Sequence, residues 1–174
     1  MKTEKPQDVK FFIGALFSDR ELLKEAEEIC VSRIGKIDHR SEAFPFEATS
    51  YYDNEMGTPI FRLFFSFDTL KSPGELAALK LQCNQIEDQL KTDQHRKVNL
   101  DIGYLDFHKM ILASAKYNGQ KIYLDNGIYA DLTLVFENGA FHAVDNTFPD
   151  FKTGLYDEVF HGFRNTYKNQ LKHS

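Results

Sequence analysis

The chain has no tryptophan and only two cysteines, Cys30 and Cys83. Both lie at apolar positions of helical patterns, far apart in sequence, so small buried thiols are expected rather than a disulfide or a nucleophile. Without Trp, the sixteen Phe residues must fill much of the core. No apolar run approaches membrane-spanning length, and the opening residues MKTEKPQDVK lack the apolar stretch of a signal peptide. A cytoplasmic protein with no membrane partner is the expectation. Positive charge is not in excess: 21 Lys and Arg face 26 Asp and Glu, a net charge of −5 with no basic stripe. That argues against a nucleic-acid partner, whose phosphates favour clustered cations. The six His residues form no HxxxH or HExxH spacing, so no metal site is expected. There is no GxSxG elbow and no GxxxxGK[ST] loop, and no cofactor follows from the sequence.

What is present fits one α+β domain, residues 1–174, with Met1 to Asp8 as a loose polar arm. Val9 to Phe17 is an apolar run of strand length. Ser18-Asp19-Arg20-Glu21 then reads as a capping box with Ser18 as the cap, and Leu22, Leu23, Ala26, Ile29 and Cys30 follow at helical spacing as far as Gly35. Lys36 to Phe46 carries short extended segments. Ile60 to Asp68 is a second strong strand, and Ser72-Pro73-Gly74-Glu75 opens a second helix running to about Lys91. Its polar flank, Lys80, Asn84 and Glu87, is expected to be solvated. A closing helix starts at Thr153 or Gly154, with Leu155, Val159, Phe163 and Tyr167 four apart. The order matches a ferredoxin-like β-α-β-β-α-β core in a mainly antiparallel sheet, with added C-terminal β-hairpins and a closing helix. The competing layout puts all three helices on one side of the sheet.

The stretch from Arg96 to Phe136 is the most patterned. Residues two apart in a strand share a face, so Asn99, Asp101 and Gly103 oppose Val98, Leu100, Ile102 and Tyr104. Likewise Tyr129, Asp131 and Thr133 oppose Ile128, Ala130, Leu132 and Leu134. Between them Met110 to Ala115 is apolar on both faces, as suits a middle strand. Asn118-Gly119 and Asn138-Gly139 predict two-residue hairpin turns.

Six stretches together resemble a prokaryotic domain-of-unknown-function family, number 4416. They are KFFIGALFSD (Lys10 to Asp19), FPFEATSYYDNEMG (Phe44 to Gly57), RKVNLDIGYL (Arg96 to Leu105), LASAK (Leu112 to Lys116), IYLDNGIYADLTL (Ile122 to Leu134) and FPDFK (Phe148 to Lys152). The resemblance implies no assigned activity. Where the family more usually has a Tyr-Pro-Asp-Tyr-Arg motif, this chain has Phe148, Phe151 and Lys152, so neither a phenol hydroxyl nor a guanidinium is available there.

The candidate site is the polar face of the sheet. Asp101, Asp131 and Lys116 are the catalytic candidates, one carboxylate serving as base or the two sharing a cation. Asn99, Lys109, Tyr129 and Glu55 are ligand-binding candidates, with Lys109 and Lys116 taking an anionic group. The plain alternative is a hydrated face with cross-strand charge pairs worth under about 1 kcal/mol. A second function class is a non-catalytic interaction or self-assembly module, anchored by the exposed aromatics of Tyr51-Tyr52 and Phe148 to Phe151 or by an edge strand.

Overall fold

KFFIGALF carries one charge in eight residues, and in the computed structural model, which describes residues 1–173, it becomes the strand β1 (Lys10–Phe17), buried at every position. Its alternate side chains feed two separate cores. Phe11, Ile13, Ala15 and Phe17 face α1 (Arg20–Arg33) and α3 (Leu76–Gln89), while Phe12 faces α4 (Asp157–Lys172) on the opposite side. The layout with all three helices on one side is therefore not the one adopted. Sixteen-residue α4 is amphipathic enough to cover its own face, through Phe160, Phe163 and Tyr167. It starts at Asp157, later than Thr153 or Gly154, because Phe151–Thr153 form a separate 3-10 turn and Gly154 adopts φ +74°.

Two further strands and a short helix lie between α1 and α3. They are β2 (Ile37–Arg40), β3 (Phe44–Pro45) and α2 (Asp53–Met56), followed by β4 (Phe61–Phe67). After α3 come β5 (Val98–Leu105), β6 (Lys109–Ser114), β7 (Ile122–Asp125), β8 (Ile128–Glu137) and β9 (Ala140–Ala143). Among the described residues these nine strands form one antiparallel sheet in the order β2-β4-β1-β5-β6-β8-β7, with β3 on β4 and β9 on β8. No helix of the described residues is long and apolar enough to cross a membrane.

The helix cap before α1 is Asp19, whose carboxylate accepts from the amides of Glu21 and Leu22 at 2.9 and 3.1 Å. Ser18 instead donates its hydroxyl to the Met56 carbonyl at 2.5 Å, tying the loop before β4 to the end of β1. Asn118-Gly119 does not close a hairpin. β6 passes over β7 and pairs with β8, and the turn that closes is Asn126-Gly127, with φ of 51° and 77°. Asn138-Gly139 closes the β8–β9 hairpin as its residues predict. A bulge in β8 breaks the alternation. Met110 pairs with Leu134 but Ile111 with Leu132, so Leu134 joins the core under α4 on the same face as Asp131.

β5 and β6 pair only from Gly103 to Leu105 against Met110 to Leu112. Beyond Gly103 the backbone of Leu100 is met by a helix instead. Glu87 accepts from the Leu100 amide at 2.8 Å, and the Lys80 ammonium donates to the Leu100 carbonyl at 2.9 Å. This overturns the solvated flank: both residues are buried, Lys80 at 6% and Glu87 at 4% exposure, because an unpartnered strand edge must be satisfied where water is excluded. The crossing is tightest at Gly103, where a Cβ would collide with the Ile111 carbonyl oxygen and lie 2.7 Å from Leu112 Cδ2. Gly103→Ala is therefore expected to destabilise the protein by about 3 kcal/mol or more, since backbone rather than a flexible side chain must yield. Urea unfolding measures it, and a loss under about 1 kcal/mol would contradict this close approach.

Candidate functional site

The α4-facing side of the sheet is apolar at one end and polar at the other. At the polar end the registers Gly14↔Phe64, Gly14↔Asp101 and Leu16↔Arg62 put Arg62 on β4 and Asp101 on β5, with β1 between them. Gly14 leaves the trough that joins them. A Cβ there would lie 2.9 Å from a Phe64 ring carbon and 3.2 Å from Arg62 Nη1. Through that gap Arg62 Nη1 donates to Asp101 Oδ2 at 3.0 Å, while Nη2 stands 3.3 Å from Asp150 Oδ2. The rings of Phe46 and Phe151 lie 5.1 and 5.7 Å from the guanidinium carbon. Burial works against the Arg62 charge, yet Asp101 and then Asp150 outweigh it, and the net effect holds the guanidinium protonated more firmly than usual. Tyr156 donates to Asp150 at 3.2 Å, and burial and that carboxylate push its phenol up.

A second guanidinium extends the network. Arg96, just before β5, forms a two-bond fork with Glu55 at 2.6 and 2.8 Å. It also donates to Glu87 at 2.9 Å and to Asn99 Oδ1 at 3.1 Å. Asn99 Nδ2 in turn donates to Asp101 Oδ1 at 2.9 Å. Both oxygens of Asp101 are thus taken, by an amide and a guanidinium. Tyr52 lies over this group, and burial, then Asp101, push its phenol up to about 12.

The third part sits around the end of β6. The Ser114 hydroxyl accepts from the Lys116 amide at 3.1 Å and from the Lys121 ammonium at 2.9 Å. Lys121 stands 3.5 Å from Asp131. The Lys116 ammonium donates to the Tyr51 hydroxyl at 2.7 Å and lies 4.8 Å from that ring's centre. Tyr129 packs between Tyr117 and Tyr123, at 5.7 and 5.5 Å.

Of the expected residues, Asn99, Asp101, Tyr129 and Asp131 share this face, while Lys116 approaches it from the β6–β7 connection and Glu55 from α2. Asp101 and Asp131 are separated by β6, at least roughly 10 Å across the sheet at ordinary strand spacing. Each faces its own cation, so the two do not share one. Glu55 is locked to Arg96 rather than presented to solvent. Lys109 is not brought to this face. It pairs with Asp106 and lines a separate cavity of about 220 Å³ with Tyr104, Phe107, His108 and Tyr167. Among the described residues no group of three or more His, Cys, Asp or Glu comes together as for a metal. Both thiols are buried, and burial pushes Cys30 up to about 12 and Cys83 well above its usual range.

Sequence reasoning passed over Arg62, Arg96, Asp150 and Lys121. Arg62 is a single cation inside IFRLFFSF, and a charge in so apolar a run was the available signal. The stretches that carry the family resemblance supply Gly14, Phe46, Glu55, Arg96, Asp101, Lys116, Asp131 and Asp150, all on or around this face.

Two expectations follow. Arg62→Ala leaves Asp150 buried without its cation and is expected to cost about 3–5 kcal/mol in urea unfolding, more than Asp101→Asn, whose side chain is 27% exposed. An Arg62→Ala cost no larger than that of Asp101→Asn would contradict this geometry. The hydrogen bond from Arg96, ahead of any other influence, holds Glu55 below the usual 4.5. A lowered folded value means its stabilisation is complete above about pH 4.5 and is lost as pH falls through the folded value. Glu55→Gln should therefore show a shallower fall in melting temperature between pH 5 and 3 than the wild type, and identical slopes would exclude the fork as a contributor.

Neither the curated proteins nor the solved structures contain a match to this chain. A family model does match, over residues 7–167, which is nearly the whole chain. On that match the chain belongs to the family described as a domain of unknown function, DUF4416.

Proposed function

We propose that the protein binds a small anionic ligand, of the phosphorylated kind, on the polar face around the end of β6. Lys116 and Lys121 are the anion contacts, Ser114 and Tyr129 line the site, and the Arg62–Asp101 pair with Asn99 forms a rigid floor. The observation that carries this reading is the state of Lys116. Its ammonium is held by the hydroxyl and ring of Tyr51, while among the described residues no carboxylate pairs with it. A cation held in place without a counter-ion favours an anion from solution. Binding rather than turnover is proposed, since Asp101 and Asp131 each already face a cation.

The scaffold in this reading is ferredoxin-like. The order β2-β4-β1-β5, with α1 and α3 as the two crossovers, supports a split β-α-β reading, in which β6 to β9 with α4 are additions that build the ligand face. Nucleic acid is not the expected partner, given the net charge of −5.

The test is a thermal-shift panel of inorganic phosphate, sugar phosphates and nucleotides. A ligand at a hundred times its Kd should raise stability by about 2.7 kcal/mol. Lys116→Ala should weaken that ligand tenfold or more while changing the unliganded protein by under about 1 kcal/mol, as suits an exposed cation. No shift with any member at millimolar concentration, or full binding by Lys116→Ala, overturns the proposal.

A further inference from the structure

We infer that Asn118 is a site of spontaneous modification, at which a neutral amide becomes a carboxylate within the connection that carries Lys116 and Lys121. The chain holds three Asn-Gly pairs, Asn118-Gly119, Asn126-Gly127 and Asn138-Gly139. In such a pair the glycine nitrogen, with no side chain beside it, can attack the asparagine Cγ. The N–Cγ bond forms, the Cγ–Nδ2 bond breaks, and ammonia leaves with the proton from the glycine nitrogen. Water then opens the five-membered ring at either carbonyl, giving aspartate or its isomer linked through the side chain. The only co-reactant is water.

The structure separates the three pairs. Asn126 and Asn138 each open a two-residue turn clamped by paired strands, Asp125 opposite Ile128 and Glu137 opposite Ala140. Both asparagines hold φ at 51°, and their glycines at 77° and 83°. Swinging the peptide plane far enough to bring the glycine nitrogen onto Cγ undoes such a turn, so the reaction there waits on local opening. Asn126 is tied down further, since its amide and its Nδ2 donate to the Asp125 carboxylate at 2.8 and 3.0 Å. Asn118 has no such clamp. Residues 115–120 are all exposed and belong to no strand. Nothing lies within 4 Å of the position a Gly119 Cβ would take, and among the described residues the Asn118 side chain has no hydrogen-bond partner. Its backbone is held across the turn by the Lys121 amide, which donates to the Asn118 carbonyl at 2.9 Å. The consequence for the site rests on the anion-binding reading above: the new carboxylate lies in the same short connection as both ammonium groups and opposes a ligand of its own sign. The isomer also lengthens the backbone of the segment that brings Lys121 to Ser114 and Asp131.

The experiment incubates the folded full chain at mildly alkaline pH, which speeds ring closure, and follows the amide-to-acid mass change by tryptic mapping. Cleavage after Lys116 and Lys121 isolates Asn118 in residues 117–121, while both hairpin asparagines fall in residues 122–152, where fragmentation tells them apart. The expected result is conversion at Asn118 at least about tenfold faster than at Asn126 or Asn138, with the three rates drawing together when the chain is unfolded in guanidinium chloride. A smaller contrast in the folded chain overturns the inference. So does a contrast that persists unchanged in guanidinium chloride, because neighbouring residues rather than the fold would then set it. The mass change is read without any ligand, so failure of the anion-binding reading leaves this result standing, and the reverse holds too.

Discussion

A guanidinium enclosed among phenylalanines has to be neutralised where it stands, and Arg62 sets that requirement for the whole polar end of the sheet. Its two carboxylates come from remote parts of the chain, Asp101 from β5 and Asp150 from the loop before α4. Satisfying one buried cation therefore fixes the position of the Phe148–Lys152 loop, the start of α4 and the face of β5 together. The pairing adds little to net stability over an apolar filling, since desolvation offsets much of the attraction. What it supplies is specificity of arrangement, because any other placement of these segments strands a charge.

Arg96 plays the corresponding part for the loop that covers β1 and β5. One planar group reaches Glu55 on α2, the short helix within that segment, Glu87 on α3 and Asn99 on β5, so both sides of the sheet are clasped at a single residue. Lys97 and Ser18 bind the Met56 carbonyl beside it, and the loop is thereby held at its far end too. The ligand face is assembled on this fixed frame. The two cations there, exposed Lys116 and the more enclosed Lys121, come from the β6–β7 connection rather than from the four central strands.

Period-two patterning was enough to read β1, β4, β5 and β6 and to place Asn99 and Asp101 on one face, because those strands are buried and regular there. It misplaced Leu134, since a bulge in β8 is a local insertion that no alternation records. Asn118-Gly119 misled because turn chemistry states that the chain reverses, not which strands then pair. Lys80 and Glu87 were unreadable as buried residues. Their partner is the backbone of Leu100, and that backbone is free only because β5 and β6 part company. The anion contacts were half legible. Lys116 follows a strand and stood out, whereas Lys121 acquires its place only through Ser114 and Asp131 in three dimensions.

The Lys80–Glu87 arrangement has a wider consequence. Seven residues is close to two helical turns, so one helix face offers an ammonium and a carboxylate at a spacing that can meet a peptide unit from both sides. Helix α3 in effect impersonates a neighbouring strand for one residue. A β-layer can in this way be opened in its interior without creating a sticky seam, which lets the outer hairpins be angled independently of the inner four strands.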